Sequence, residues 1–69
     1  MKLEDFRIKV AKMSRPQLSQ IAGVSIATIQ RAERGETISK LTEAKILSAF
    51  SEHLKREVNS EEIEGLQVE

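Results

Sequence analysis

The side chains best able to do chemistry in this sequence lie close together between Ser25 and Arg34: Thr28, Gln30, Arg31 and Arg34, with the small Ala27 among them. None of them makes a nucleophile with a base beside it. Their chemistry is hydrogen bonding to planar polar edges. At about 100° per residue counted from Ile26, Ile29 and Ala32 fall on one side of a helix. Arg34, Ala27 and Arg31 fall on the other side, flanked by Gln30 and Thr28. A guanidinium forks onto guanine, a carboxamide pairs with adenine, and an alanine or threonine methyl packs on the thymine methyl, each good bidentate pair adding roughly 1–3 kcal/mol of discrimination. Such a face suits the major groove of duplex DNA. Glu33 falls near the inner side and is expected to be a structural ion-pair partner.

Other chemistries find little support. His53 is the single histidine and there is no cysteine, so a thiol nucleophile is excluded and a metal centre is not expected. His53 is read as a surface or packing residue. Ser14, Ser25 and Ser39 precede apolar-periodic stretches and read as helix caps, with no histidine–carboxylate arrangement to activate them. The glycines form neither phosphate-loop nor dinucleotide-binding spacing. The chain is expected not to be an enzyme and to carry no cofactor, metal or small-molecule ligand.

The elements that must hold the polar face in place can be read from capping signals. Ser14 with Gln17 has capping-box spacing, Met13 and Leu18 can form a hydrophobic staple, and Pro16 sits in the first turn, where a missing N–H costs little. Gly23 is placed to end that helix with a positive φ. Ser25 then caps a second helix two residues later, with Val24 and Ile29 as its staple and Gly35 as its stop. The spacing predicts helices over Leu3–Lys12, Arg15–Ala22 and Ile26–Arg34. A fourth is expected from a Ser39 cap to about Phe50, burying Thr42, Ile46, Ala49 and Phe50. The stretch Ser51–Glu57 either extends that helix or bends away from it. Asn59 with Glu62, and Val58 with Ile63, predict a fifth short helix over Ser60–Glu64, ended by Gly65. No alternating strand pattern of useful length occurs.

Sixty-nine residues make one domain, 1–69, which buries about 60% of its unfolded surface and has a stability of a few kcal/mol. The net charge is zero, but it is unevenly distributed. Residues 1–40 carry eight basic against four acidic side chains, a net +4, and residues 41–69 carry three against seven, a net −4. The basic half suits a polyanion. Arg15, Gln17 and Ser25 stand at the starts of the second and third helices, where free N–H groups and the helix dipole favour phosphate oxygens. Lys9 and Lys12 extend that rim. No apolar run is long enough for a membrane span or a signal peptide, so a cytoplasmic, nucleoid-associated protein is expected.

The segment Met13–Gly35 resembles the lambda-repressor-like, Cro-type helix-turn-helix family of phage and bacterial regulators. Leu18, Ser19, Ala22, Gly23, Val24, Ser25, Thr28, Ile29, Glu33 and Gly35 carry the likeness. The stretches ISKLTEAKILSAF and VNSEEIEGL resemble that family's fourth and fifth helices. The resemblance implies that Ile26, Ala27, Thr28 and Arg31 meet bases, and that Arg15 and Gln17 meet the phosphate backbone. Members often pair an arginine late in helix 1 with the glutamate of helix 3. The corresponding position here is Ile8, with Arg7 beside it, so Glu33 is expected to pair differently.

The expectation is therefore an all-α bundle of about five short helices that binds double-stranded DNA as a sequence-specific regulator, a repressor reading the major groove with residues 26–34. A homodimer is expected through the acidic C-terminal half, where Leu54, Val58, Ile63, Leu66 and Val68 are the candidate contact. The same residues could instead close the monomer's own core. The alternative function is a protein-interaction module on the same scaffold, such as an antitoxin or complex subunit without strong DNA specificity, which net neutrality and the apolar Ile26–Ala27 start would suit.

Overall fold

The computed structural model describes all 69 residues. Helix α1 starts as one α-helical turn over Leu3–Asp5 and continues with π-helical winding over Phe6–Ala11. It ends at Lys12, which adopts a left-handed conformation at φ 56°. Helix α2 spans Arg15–Ala22, α3 spans Ile26–Glu33 and α4 spans Lys40–Leu54. A single 3-10 turn, Ser60–Glu62, replaces the expected fifth helix. No helix is long and apolar enough to cross a membrane.

The three serine caps form as the sequence predicts. Ser14, Ser25 and Ser39 each accept a hydrogen bond from the backbone N–H three residues on, at Gln17, Thr28 and Thr42. That relieves one of the unpaired donors at each helix start. Helix α3 closes at Arg34, one residue earlier than expected, and Gly35 follows at φ 83°. The Gly35 N–H bonds the Ala32 carbonyl and the Glu36 N–H bonds the Arg31 carbonyl. This is the paired closure that a glycine beyond the helix end permits. Helix α4 does extend through Ser51 and stops at Lys55.

Two features depart from an all-α chain. Strand β1, Thr37–Ile38, pairs in parallel with β2, Gln67–Val68, with Thr37 opposite Gln67 and Ile38 opposite Val68. Each strand is only two residues long, too short for any alternation to register in sequence. The second departure is the π-helical winding of α1. Its i→i+5 bonding widens the turn, so Leu3, Phe6, Arg7 and Ala11 are the buried residues while Val10 is only half-buried. Ordinary α spacing would instead line up Leu3, Phe6, Val10 and Met13 on one face.

The core joins Leu3, Phe6, Ala11 and Met13 to Leu18, Ile29 and Ala32, and to Ile38, Ile46, Ala49 and Phe50. Phe6 and Phe50 meet with ring centroids 4.9 Å apart at a 56° tilt, within the favourable range for aromatic pairs. Val58 and Ile63 are buried, and Leu54, Leu66 and Val68 pack against the same cluster. The C-terminal apolar residues thus close the chain's own core. Thr42 is half-buried rather than fully inside. His53, exposed near the end of α4, shares a 2.9 Å hydrogen bond between Nε2 and the Ala11 carbonyl, one of those left open at the end of α1.

Polar contacts tie the C-terminal tail down. The Glu64 N–H donates to the Met1 carbonyl at 2.8 Å, and its carboxylate accepts from the Met1 ammonium at 2.8 Å. Glu62 accepts the Asn59 N–H at 3.0 Å and a bond from Arg56 at 3.0 Å. The Asn59 N–H, followed by the Arg56 guanidinium, holds the Glu62 carboxyl below its ordinary value. The Met1 ammonium does the same for Glu64. A carboxyl lowered in the folded state stabilises fully above its unfolded value and loses that contribution as pH falls through the folded value. Acid titration of stability below about pH 4.5 is therefore expected to fall less steeply in a Glu62→Gln/Glu64→Gln variant than in the parent. Urea melts at successive pH values read this directly, and parallel curves would show that the tail contacts contribute nothing.

Candidate nucleic-acid interface

Helix α3 is fixed from inside by Ile29, fully buried, and Ala32, 3% exposed. Its opposite side leaves Ala27, Gln30 and Arg31 exposed, as the wheel predicts. Ile26 is 40% exposed at the first position of the helix. Thr28 is half-buried, and its hydroxyl shares a 2.8 Å hydrogen bond with the Ser25 hydroxyl. That bond orients both side chains at the helix start. Gln17 is exposed on the first turn of α2. The turn between the helices is set by Gly23 at φ 73° and by a bond from the Ser19 hydroxyl to the Val24 carbonyl. Sequence reasoning took Ser19 only as a small residue. Its bond across the turn explains why a small hydroxyl serves there.

The sequence-predicted cations separate into two groups. Arg15 donates from Nε to Glu33 at 2.8 Å and from its terminal nitrogen to Glu4 at 3.3 Å. Arg34 pairs with Glu36 at 2.9 Å, and Gln30 joins Arg15 and Arg34 around a polar recess also lined by Glu4 and Glu33. Arg31, by contrast, has no acidic partner. Within residues 1–40 each acid is paired: Glu4 with Arg15, Asp5 with Lys9, Glu33 with Arg7 and Arg15, and Glu36 with Arg34. The cations without an acid partner in that half are Lys2, Lys12, Arg31 and Lys40. The net +4 of this half is thus carried by four identifiable side chains.

Glu33 is the ion-pair partner expected of it, and the residue it pairs with corrects the sequence reading. Arg7 donates from Nε to the Glu33 carboxylate at 2.7 Å and from a terminal nitrogen to the Met13 carbonyl at 2.9 Å. Arg7 lies beside the Leu3–Phe6 stripe and is 6% exposed, whereas Ile8 points outward at 51% exposure. Glu33 thus pairs with Arg7, the residue beside Ile8, and with Arg15. The available signal was the position of Arg7 on the flank of the buried face.

No family model, curated protein or solved structure matches the chain. The functional reading therefore rests on the residues themselves.

The Arg7–Glu33 pair is almost fully buried, with side chains 7% and 4% exposed. Removing one partner of such a pair leaves an uncompensated charge and costs about 3–5 kcal/mol. Glu33→Ala is expected to lose that much in urea denaturation, most of the stability available to a domain of this size. A loss below about 1 kcal/mol, the range of a surface ion pair, would contradict the burial of this pair.

Proposed function

We propose that this chain is a sequence-specific double-stranded DNA-binding regulator of lambda-repressor-like, Cro-type architecture, a repressor that lays α3 in the major groove. The observation that carries the reading is the two-sided character of α3. Ile29 and Ala32 anchor its inner face, while Ala27, Gln30 and Arg31 stand outward with Arg31 unpaired. Arg31 forks onto guanine and Gln30 onto adenine, and Ile26, Ala27 and the Thr28 methyl offer apolar contact to thymine. Gln17 and Ser25, at the helix starts, meet phosphate oxygens and set the register of the module on the duplex. Arg34 is occupied by Glu36 and contributes less than its place on the wheel suggests.

One module of this kind buries roughly 600–1,000 Å² of protein surface on DNA. Two copies on a two-fold site, with half-sites about 34 Å apart, would raise affinity and specificity together. Leu54, Leu66 and Val68 pack on the core and stay partly exposed, so they are the C-terminal apolar side chains open to such pairing.

A protein-binding role for the same face is favoured by one feature. Ile21 and Ile26, 41% and 40% exposed, bracket the turn between α2 and α3. Salt separates the two readings, because phosphate contacts release counterions and apolar docking does not. Binding to duplexes selected from a random pool is expected to weaken steeply as salt rises, and Arg31→Ala to cost about 1–3 kcal/mol while relaxing the selected sequence. Failure to bind any duplex at low salt would exclude the DNA reading.

A further inference from the structure

We infer that Arg15 is a positioning residue that fixes the tilt of α3, and not a phosphate contact. The inference rests on the DNA-binding reading above and reassigns one of its residues. Two helices joined by a short turn are held firmly only at the turn. Here Gly23 and the Ser19–Val24 bond fix the first end of α3. The far end needs a second attachment, and Glu33 in the last turn supplies it.

The two carboxylate oxygens of Glu33 are divided between two arginines. Oε2 accepts the Arg7 Nε–H at 2.7 Å, and Oε1 accepts the Arg15 Nε–H at 2.8 Å. Arg7 comes from α1 and Arg15 from the first position of α2, so one carboxylate joins three helices. Arg15 also reaches Glu4 at 3.3 Å. Arg7, Arg15, Glu33 and Glu4 together sum to zero charge, so this cluster adds no net attraction for a polyanion. If Arg15 turned toward a phosphate, it would leave Glu33 Oε1, on a side chain only 4% exposed, without its donor, and an unsatisfied buried acceptor is costly. The unpaired cations Lys12 and Lys40 can meet phosphates without that loss.

The test compares Arg15→Gln with Lys12→Gln in duplex binding across salt concentrations, together with NMR of the arginine Nε–H groups and amide exchange in the free protein. Arg15→Gln leaves the Arg7–Glu33 pair in place. It is expected to lower affinity by the same factor at every salt concentration, whereas Lys12→Gln reduces the slope by about 1. The Arg15 Nε–H signal is expected to be visible in the free protein and to keep its position when DNA is added. Amides from Arg31 to Glu36 are expected to exchange faster in Arg15→Gln. A slope reduced by about 1 in Arg15→Gln, or a shift of its Nε–H signal on DNA, would overturn the assignment. If the parent protein binds no duplex, the DNA reading fails by itself, and unchanged exchange at Arg31–Glu36 would still overturn the positioning role.

Discussion

The buried carboxylate of Glu33 is the contact on which the arrangement of the first three helices depends. A carboxylate taken out of water loses several kcal/mol of solvation, recovered only when its geometry is good and its lone pairs are occupied. Two guanidinium Nε–H groups, one on each oxygen, meet that condition. The arginines arrive from different helices, so satisfying the charge also fixes how those helices meet. Apolar packing of Leu18, Ile29 and Ala32 is less directional and leaves more latitude in tilt. The ion-pair cluster supplies the missing direction.

The π-helical winding of α1 belongs to the same constraint. With it, Leu3, Phe6 and Ala11 face the core while Arg7 faces Glu33. Lys12 then turns sharply through a left-handed conformation, an uncommon state for a residue with a side chain. Met13 follows as a buried residue and Ser14 as the cap of α2. The cluster lies behind the outward face of α3, so rigidity there holds Ala27, Gln30 and Arg31 in a defined orientation. The C-terminal tail closes the domain on another side through β2 and Glu64.

Much of this was legible in the residues, because capping is local chemistry. Ser14, Ser25 and Ser39 announce helix starts through bonds spanning three residues, and Gly23 announces a stop through its own φ. Helix α2 matches the reading to the residue, and α3 to within one. What escaped depends on contacts distant in sequence. The β1–β2 pairing joins residues about thirty positions apart through two-residue strands, which leave no periodic trace. The π winding over Phe6–Ala11 has no counterpart in the apolar spacing of Leu3, Phe6 and Val10, which fits an ordinary α-helix. On the candidate site, the outward set Ala27, Gln30 and Arg31 followed from helical spacing. The engagement of Arg15 did not, since its partners Glu4 and Glu33 lie on other helices; that of Arg34 with Glu36 is local, two residues on, and depends on how the chain turns at Gly35.

The central claim is that the outward face of α3, backed by the Glu33 cluster, is the surface that meets duplex DNA. The most direct measurement is amide chemical-shift mapping during titration with a duplex at low salt. The largest changes are expected over Ser25–Arg31 and around Gln17, with small changes over residues 58–63. No change at saturating duplex, or changes concentrated in the C-terminal tail, would contradict it.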